Sequence, residues 1–221
     1  MNQGKQSMKE KIKVKRADID IAKNKSSWDF GNKVLYDLCK NHPNHDCEDK
    51  VIAKIWLIGR SHAASIERGR NMSQRQNSDS FYVKTVAPKI KSSDIDKWIA
   101  NIPENTVLSL DQFKLAITAH WQLTNLFKEI IGNDIEKRSL ASKYLHFHRP
   151  NAFFIYDSRA AKRITQIDSS KANIEIRCAK ADKSYIQFVQ RCLSLREYIK
   201  NKFGETLEPR QIDNLLLRTS V

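Results

Sequence analysis

An amine and a carboxylate held together can do chemistry that neither does alone. A lysine that has lost its proton is a nucleophile, and a carboxylate beside it stabilises a nearby cation. The stretch SLASKYLHFHRPNAFFIYDSRAAKRI, residues 139–164, offers such a pair in Lys143 and Asp157. A helix beginning near Ser139 must stop around Arg149, because Pro150 pushes its predecessor out of the α region. From Lys143 to the helix end the chain climbs only ~8 Å, while the residues returning to Asp157 can span up to ~24 Å. The two side chains can therefore meet. At a basic surface such a pair suits attack at a sugar carbon, provided desolvation leaves the lysine partly neutral. Plainer roles stand equally open. Asp157 occupies the N-cap position of a helix starting at Ser158, and Lys143 can be a solvated helix lysine.

Other polar groups invite metal or ligand readings. His146 and His148 sit two apart on a helix, about 200° around its axis, and so cannot share an ion. His146 can reach the Lys143 cleft or a phosphate, although burial or capping is the default for it. Cys39, His42, His45 and Cys47 form a denser group, but their spacing matches no common zinc pattern, and a polar loop with two incidental thiols is favoured. No metal or other cofactor is expected. Arg60, His62 and Arg68 can line a cleft or simply solvate their helix, with Trp56 in the core.

The elements that must position these groups are helical. Glycine and proline number only 6 and 5 in 221 residues, a poor supply for the many turns of a sandwich or barrel. Apolar residues recur at helical spacing in 51–67, 111–131 and 182–200, with Asp111 a plausible N-cap of the second. Shorter helices are expected at 28–40, 94–101, 139–148, 158–166 and 209–217, and a polar loop at 70–80. Only 173–178 alternates enough to suggest a strand. The expected fold is all-α or nearly so: a flexible basic arm at 1–25, then a single helical domain of two lobes at 26–221.

Charge narrows the partner. Lys and Arg total 39 against 25 Asp and Glu, a net charge of +14, with excesses in 1–25 and in 158–202. A polyanion is implied, nucleic acid being the commonest. No run reaches the roughly 18 apolar residues of a membrane span. Four scattered cysteines make no disulfide framework. A cytoplasmic protein with reduced thiols, no membrane contact and a monomeric state is expected.

The order helix, lysine, apolar helix, return run, aspartate and new helix resembles the core of the helix-hairpin-helix DNA glycosylase superfamily. The likeness covers about residues 130–165 and extends faintly to 54–60 and 209–213. It implies a two-lobed helical fold and DNA as partner. By position, Lys143 would attack the deoxyribose C1′ to form a Schiff base, and Asp157 would assist base departure. Where the family has a glycine-x-glycine turn contacting phosphate, residues 136–142 here have no glycine. Either Arg138 and Ser139 take that role, or the likeness is of fold alone. Arg60, His146, Arg159, Lys162 and Arg163 complete the expected DNA-contacting set, with Tyr144 and Tyr156 as candidates to stack on a flipped base. The leading expectation is thus a DNA glycosylase, with or without lyase activity, acting on a damaged or modified base. One alternative is a metal-dependent nuclease using Asp157, Glu175 and Arg177; another is a basic nucleic-acid-binding protein without chemistry.

Overall fold

The computed structural model describes residues 12–68, 70, 78–104, 108–168 and 172–218. In chain order the helices are α1 (Arg16–Lys23), α2 (Asp29–Asn41), α3 (Glu48–Ser61), α4 (Ser78–Phe81), a π-helical turn (Tyr82–Val86), α5 (Ala87–Lys91), α6 (Ile95–Ala100), α7 (Leu110–Ile131), α8 (Arg138–His148), α9 (Ser158–Ile167), α10 (Lys183–Phe203) and α11 (Pro209–Arg218). The fold is all-α. Among the described residues no strand forms, and the one isolated bridge joins Ile12 to Asp168.

The helices pack as two groups. In one, α2, α3 and α7 pack on α8, with α5 and the π turn behind α3. In the other, α11 packs on α1 and α9, and α9 on α10. Helix α8 is buried on every side from Leu140 to His148, and its sequence supplies the reason: Leu140, Ala141, Leu145 and Phe147 already occupy much of its circumference. The return run 149–157 leads from α8 into the second group, burying Ala152, Phe153, Phe154 and Ile155.

Several expectations need correction. Residues 12–25 are not an arm: Ile12, Val14, Ile19 and Ala22 are buried, and Arg16 and Lys23 both pair with Glu205. The alternation of charge and small apolar residues there hides a short helix whose apolar face is covered by α11. The rest of the expected arm, 1–11, lies outside the described residues. Helix α7 is capped by Ser109 instead of Asp111; its hydroxyl accepts the Gln112 N–H, and the Gln112 side chain accepts the Ser109 N–H. Residues 78–80 of the expected loop begin α4, because Phe81, Tyr82, Val86 and Ile90 give that segment a buried face; 71–77 lie outside the described residues. Segment 173–178 forms no strand, since the N–H groups of Asn173 and Ile174 donate to the Ser194 hydroxyl. Trp56 is 44% exposed and not core.

Candidate active site at the junction of α8, α9 and α11

Lys143 projects from the middle of α8 and is 5% exposed. Its Nζ donates to the Ser139 hydroxyl one turn back (3.0 Å) and to the His62 carbonyl just past α3 (3.2 Å). Asp157 Oδ2 stands 3.8 Å away. Burial pushes the proton affinity of Lys143 down, and the charges of Asp157 and Asp213 pull part of it back.

Two local devices fix Asp157. Its Oδ1 accepts the N–H groups of Arg159 (2.8 Å) and Ala160 (3.2 Å), the N-cap of α9. One residue earlier, the Tyr156 N–H donates to Ser142 Oγ (3.0 Å), and that hydroxyl donates to the Ser139 carbonyl. Ser142 therefore ties the return run to α8 one position from Lys143. With Oδ1 engaged in capping, Oδ2 is left to face the ammonium.

The structure adds a carboxylate that sequence reasoning missed. Asp213 of α11 is 5% exposed; Arg210 Nη1 donates to its Oδ2 (2.9 Å), and its Oδ1 has no partner. Burial raises its proton affinity to a pKa of about 6, against the opposing charges of Arg210 and Lys143. A signal for it was present: Pro209, Ile212, Asp213 and Leu216 recur at the spacing of the buried stripe of α11. His62 is also held neutral, its pKa lowered to about 4 by burial and by the charges of Lys143 and Arg210.

Of the other expected residues, Ser139 joins the site as an acceptor for Lys143. Arg159 lies 3.7 Å from Asp157 Oδ1 with a side chain 79% exposed, and Lys162 is exposed on the same helix. Arg163 donates to Gln166 (3.3 Å). Arg60 pairs with Glu67. Arg138 is engaged by both oxygens of Asp182 (2.7 Å each) and by Glu136, and lies 5.6 Å over the Tyr156 ring. Tyr156 packs edge-on against Tyr185 and Phe188.

Two expected contacts are corrected by burial. Tyr144 is fully buried, its hydroxyl donating to His45 Nε2 (2.7 Å), so it offers no face to a flipped base. His146 is equally buried; Nδ1–H donates to the Phe153 carbonyl (2.9 Å) and Nε2 accepts the Tyr36 hydroxyl (2.6 Å), so it cannot reach a phosphate. The side-chain partners, His45 and Tyr36, lie about a hundred residues away in sequence.

The Cys39, His42, His45 and Cys47 group is not assembled around an ion. Lys54 Nζ binds the His42 and Asn44 carbonyls, His45 Nδ1 meets Asp96 (2.5 Å), and Cys47 Sγ donates to Asp49 (2.5 Å). Among the described residues no three His, Cys, Asp or Glu side chains could hold a metal. Glu175 and Arg177, the nuclease candidates, pair with each other at the surface (3.0 Å).

A cleft of about 580 Å³ opens at the C-terminal end of α8, lined by Tyr36, Pro103, His148, Arg149 and Arg210 among others. Lys143 and Asp157 do not line it. Arg210 stands between the two places, on the cleft wall with its Nη1 on Asp213. No helix among the described residues is long and apolar enough to cross a membrane. No protein-family model, curated protein or solved structure matches the chain.

Proposed function

We propose that this protein is a DNA glycosylase that excises a damaged or modified base, with Lys143 as the attacking amine and Asp157 as the carboxylate that stabilises the sugar cation. The observation that carries the reading is the Lys143–Asp157 pair itself: 3.8 Å apart, the lysine desolvated, the aspartate held by the cap of α9. Attack by the neutral Nζ on C1′ forms a C–N bond as the glycosidic pair departs with the base. A negative charge fixed beside C1′ stabilises the positive charge that develops there. Arg159, exposed beside Asp157, Lys162, exposed on the same helix, and the net charge of +14 supply phosphate contacts.

The test is incubation with duplexes carrying a panel of modified bases, followed by alkali to reveal abasic sites. Asp157→Asn keeps an oxygen able to cap α9, so stability should change by about 1 kcal/mol or less. Base release should fall about a hundredfold or more, the usual cost of losing one such electrostatic contact. Lys143→Gln should abolish any borohydride-trapped protein–DNA adduct, because an amide forms no Schiff base. Folded variants that bind DNA and release base at the wild-type rate refute the site. Turnover lost to a chelator and restored by magnesium would favour the nuclease; DNA binding without abasic sites on any duplex would favour a binding protein.

A further inference from the structure

Two aromatic side chains stand in water at the start of α2. Trp28 is 76% exposed and Phe30 80%, far above every other large apolar residue described. Neither belongs to the packing of the helix, whose inward side is taken by Asn32, Leu35 and Cys39. Local bonds hold this corner in place. Asp29, between the two aromatics, turns back onto Ser26, its Oδ2 accepting the Ser26 N–H (2.8 Å) and its Oδ1 facing the hydroxyl (2.9 Å). From α11 the Arg218 guanidinium donates to the Asn24 carbonyl (3.1 Å). Large rings with two χ angles, carried on a tied turn, lose little conformational entropy when a partner covers them.

Charge and area select the partner. Residues 12–41 carry seven basic and four acidic side chains. The acids are engaged: Asp18 accepts the Lys15 N–H, Asp20 faces Arg16, Asp29 holds the Ser26 turn and Asp37 pairs with Lys33. Lys25, exposed three residues before Trp28, meets no acid among the described residues. A second copy of the chain is disfavoured by area. Two aromatic side chains so exposed offer roughly 250–400 Å², half or less of the about 800 Å² that each partner gives to a stable protein interface. A base needs far less. Flat rings beside positive charge suit a nucleic-acid strand, each ring covering the face of a base while cations hold the adjoining phosphates. Inside a stacked duplex no such face is offered. We infer that Trp28 and Phe30 form a stacking platform for unpaired bases, an assignment that rests on the nucleic-acid partner of the reading above and not on excision.

The test measures binding of the full chain to a labelled oligothymidylate and to a perfect duplex of the same length, across a range of salt. Trp28→Leu with Phe30→Leu keeps apolar surface but removes both π faces, at positions outside the core. Affinity for the single strand should fall about thirtyfold or more at every salt concentration. The slope against log salt should not change, because stacking releases no counterions. Duplex affinity should stay at the wild-type level. Trp28→Phe with Phe30→Tyr keeps the rings and should restore single-strand binding. Trp28 is one of four tryptophans, and its quenching by the oligonucleotide should be the part missing from Trp28→Phe. A leucine variant that binds the single strand as the wild type does overturns the proposal and leaves the excision reading intact. Equal losses on single strand and duplex also overturn it, since the duplex presents no free base face. Sedimentation that finds a wild-type dimer and a monomeric leucine variant assigns the patch to a second copy instead. Wild-type protein that binds no DNA even at low salt refutes the nucleic-acid partner itself, and the platform with it.

Discussion

Mild acid should unfold this protein, because four of its six histidines are buried without charge. His45, His120, His146 and His148 are at most 7% exposed. Burial lowers their pKa values to about 4, about 4 and about 3, and that of His148 well below 6.5. Each folded value lies below the unfolded one, so the stability these groups contribute is whole above about pH 6.5 and is lost as pH falls toward 4. Each proton taken up on unfolding costs about 1.4 kcal/mol per pH unit, so these four and His62, whose pKa is also lowered to about 4, cost about 7 kcal/mol per unit. Asp213 has the opposite sign: its folded value of about 6 exceeds 3.8, so it gains stability as pH falls through 6 and offsets one of those protons. A domain stability of about 5–15 kcal/mol is then exhausted within a few pH units, placing the transition near pH 5. Near-UV circular dichroism should lose its signal there, and titration across the transition should record a net uptake of about three to four protons. His148→Phe sharpens the test. His148 Nε2 has no partner, so an apolar ring removes an unsatisfied nitrogen, and uptake should fall by one with stability at pH 7 unchanged or higher. A native near-UV spectrum at pH 4, or undiminished uptake in His148→Phe, would sink the argument.

Two further perturbations probe the frame around the site. Arg138→Ala strips the guanidinium from Asp182, a carboxylate whose side chain is 4% exposed, and should cost about 3 kcal/mol in urea unfolding; a loss under about 1 kcal/mol would mean the pair is solvated in solution. Deleting residues 1–25 removes Ile12, Val14 and Ile19 from the core, at roughly 1.5–3 kcal/mol for each large side chain, so the midpoint in urea should drop sharply. An unaltered midpoint would restore the view of that segment as an arm.

What the sequence determined is whatever depends on near neighbours along the chain. The apolar spacing of 111–131 and 182–200 gave α7 and α10, since a buried stripe requires residues three and four apart whatever packs on it. Asp157 could be read as a cap because its partners are the next backbone N–H groups, and its meeting with Lys143 was bounded by a short return run. Tertiary structure decided the states of those groups. The sequence predicts the helix α8 but not its neighbours: α2, α3 and α7 pack on it, so His146 and Tyr144 take Tyr36 and His45 as partners from about a hundred residues away. Arg138, expected at a phosphate, is claimed by Asp182, and Asp213 enters from α11. Helical periodicity is a relation between residues within one turn, whereas proton affinity depends on lost water and on charges brought in by other helices. Lys143 and Asp157 were therefore legible as a pair, but the burial that shifts the lysine and the second carboxylate whose charge acts on it were not.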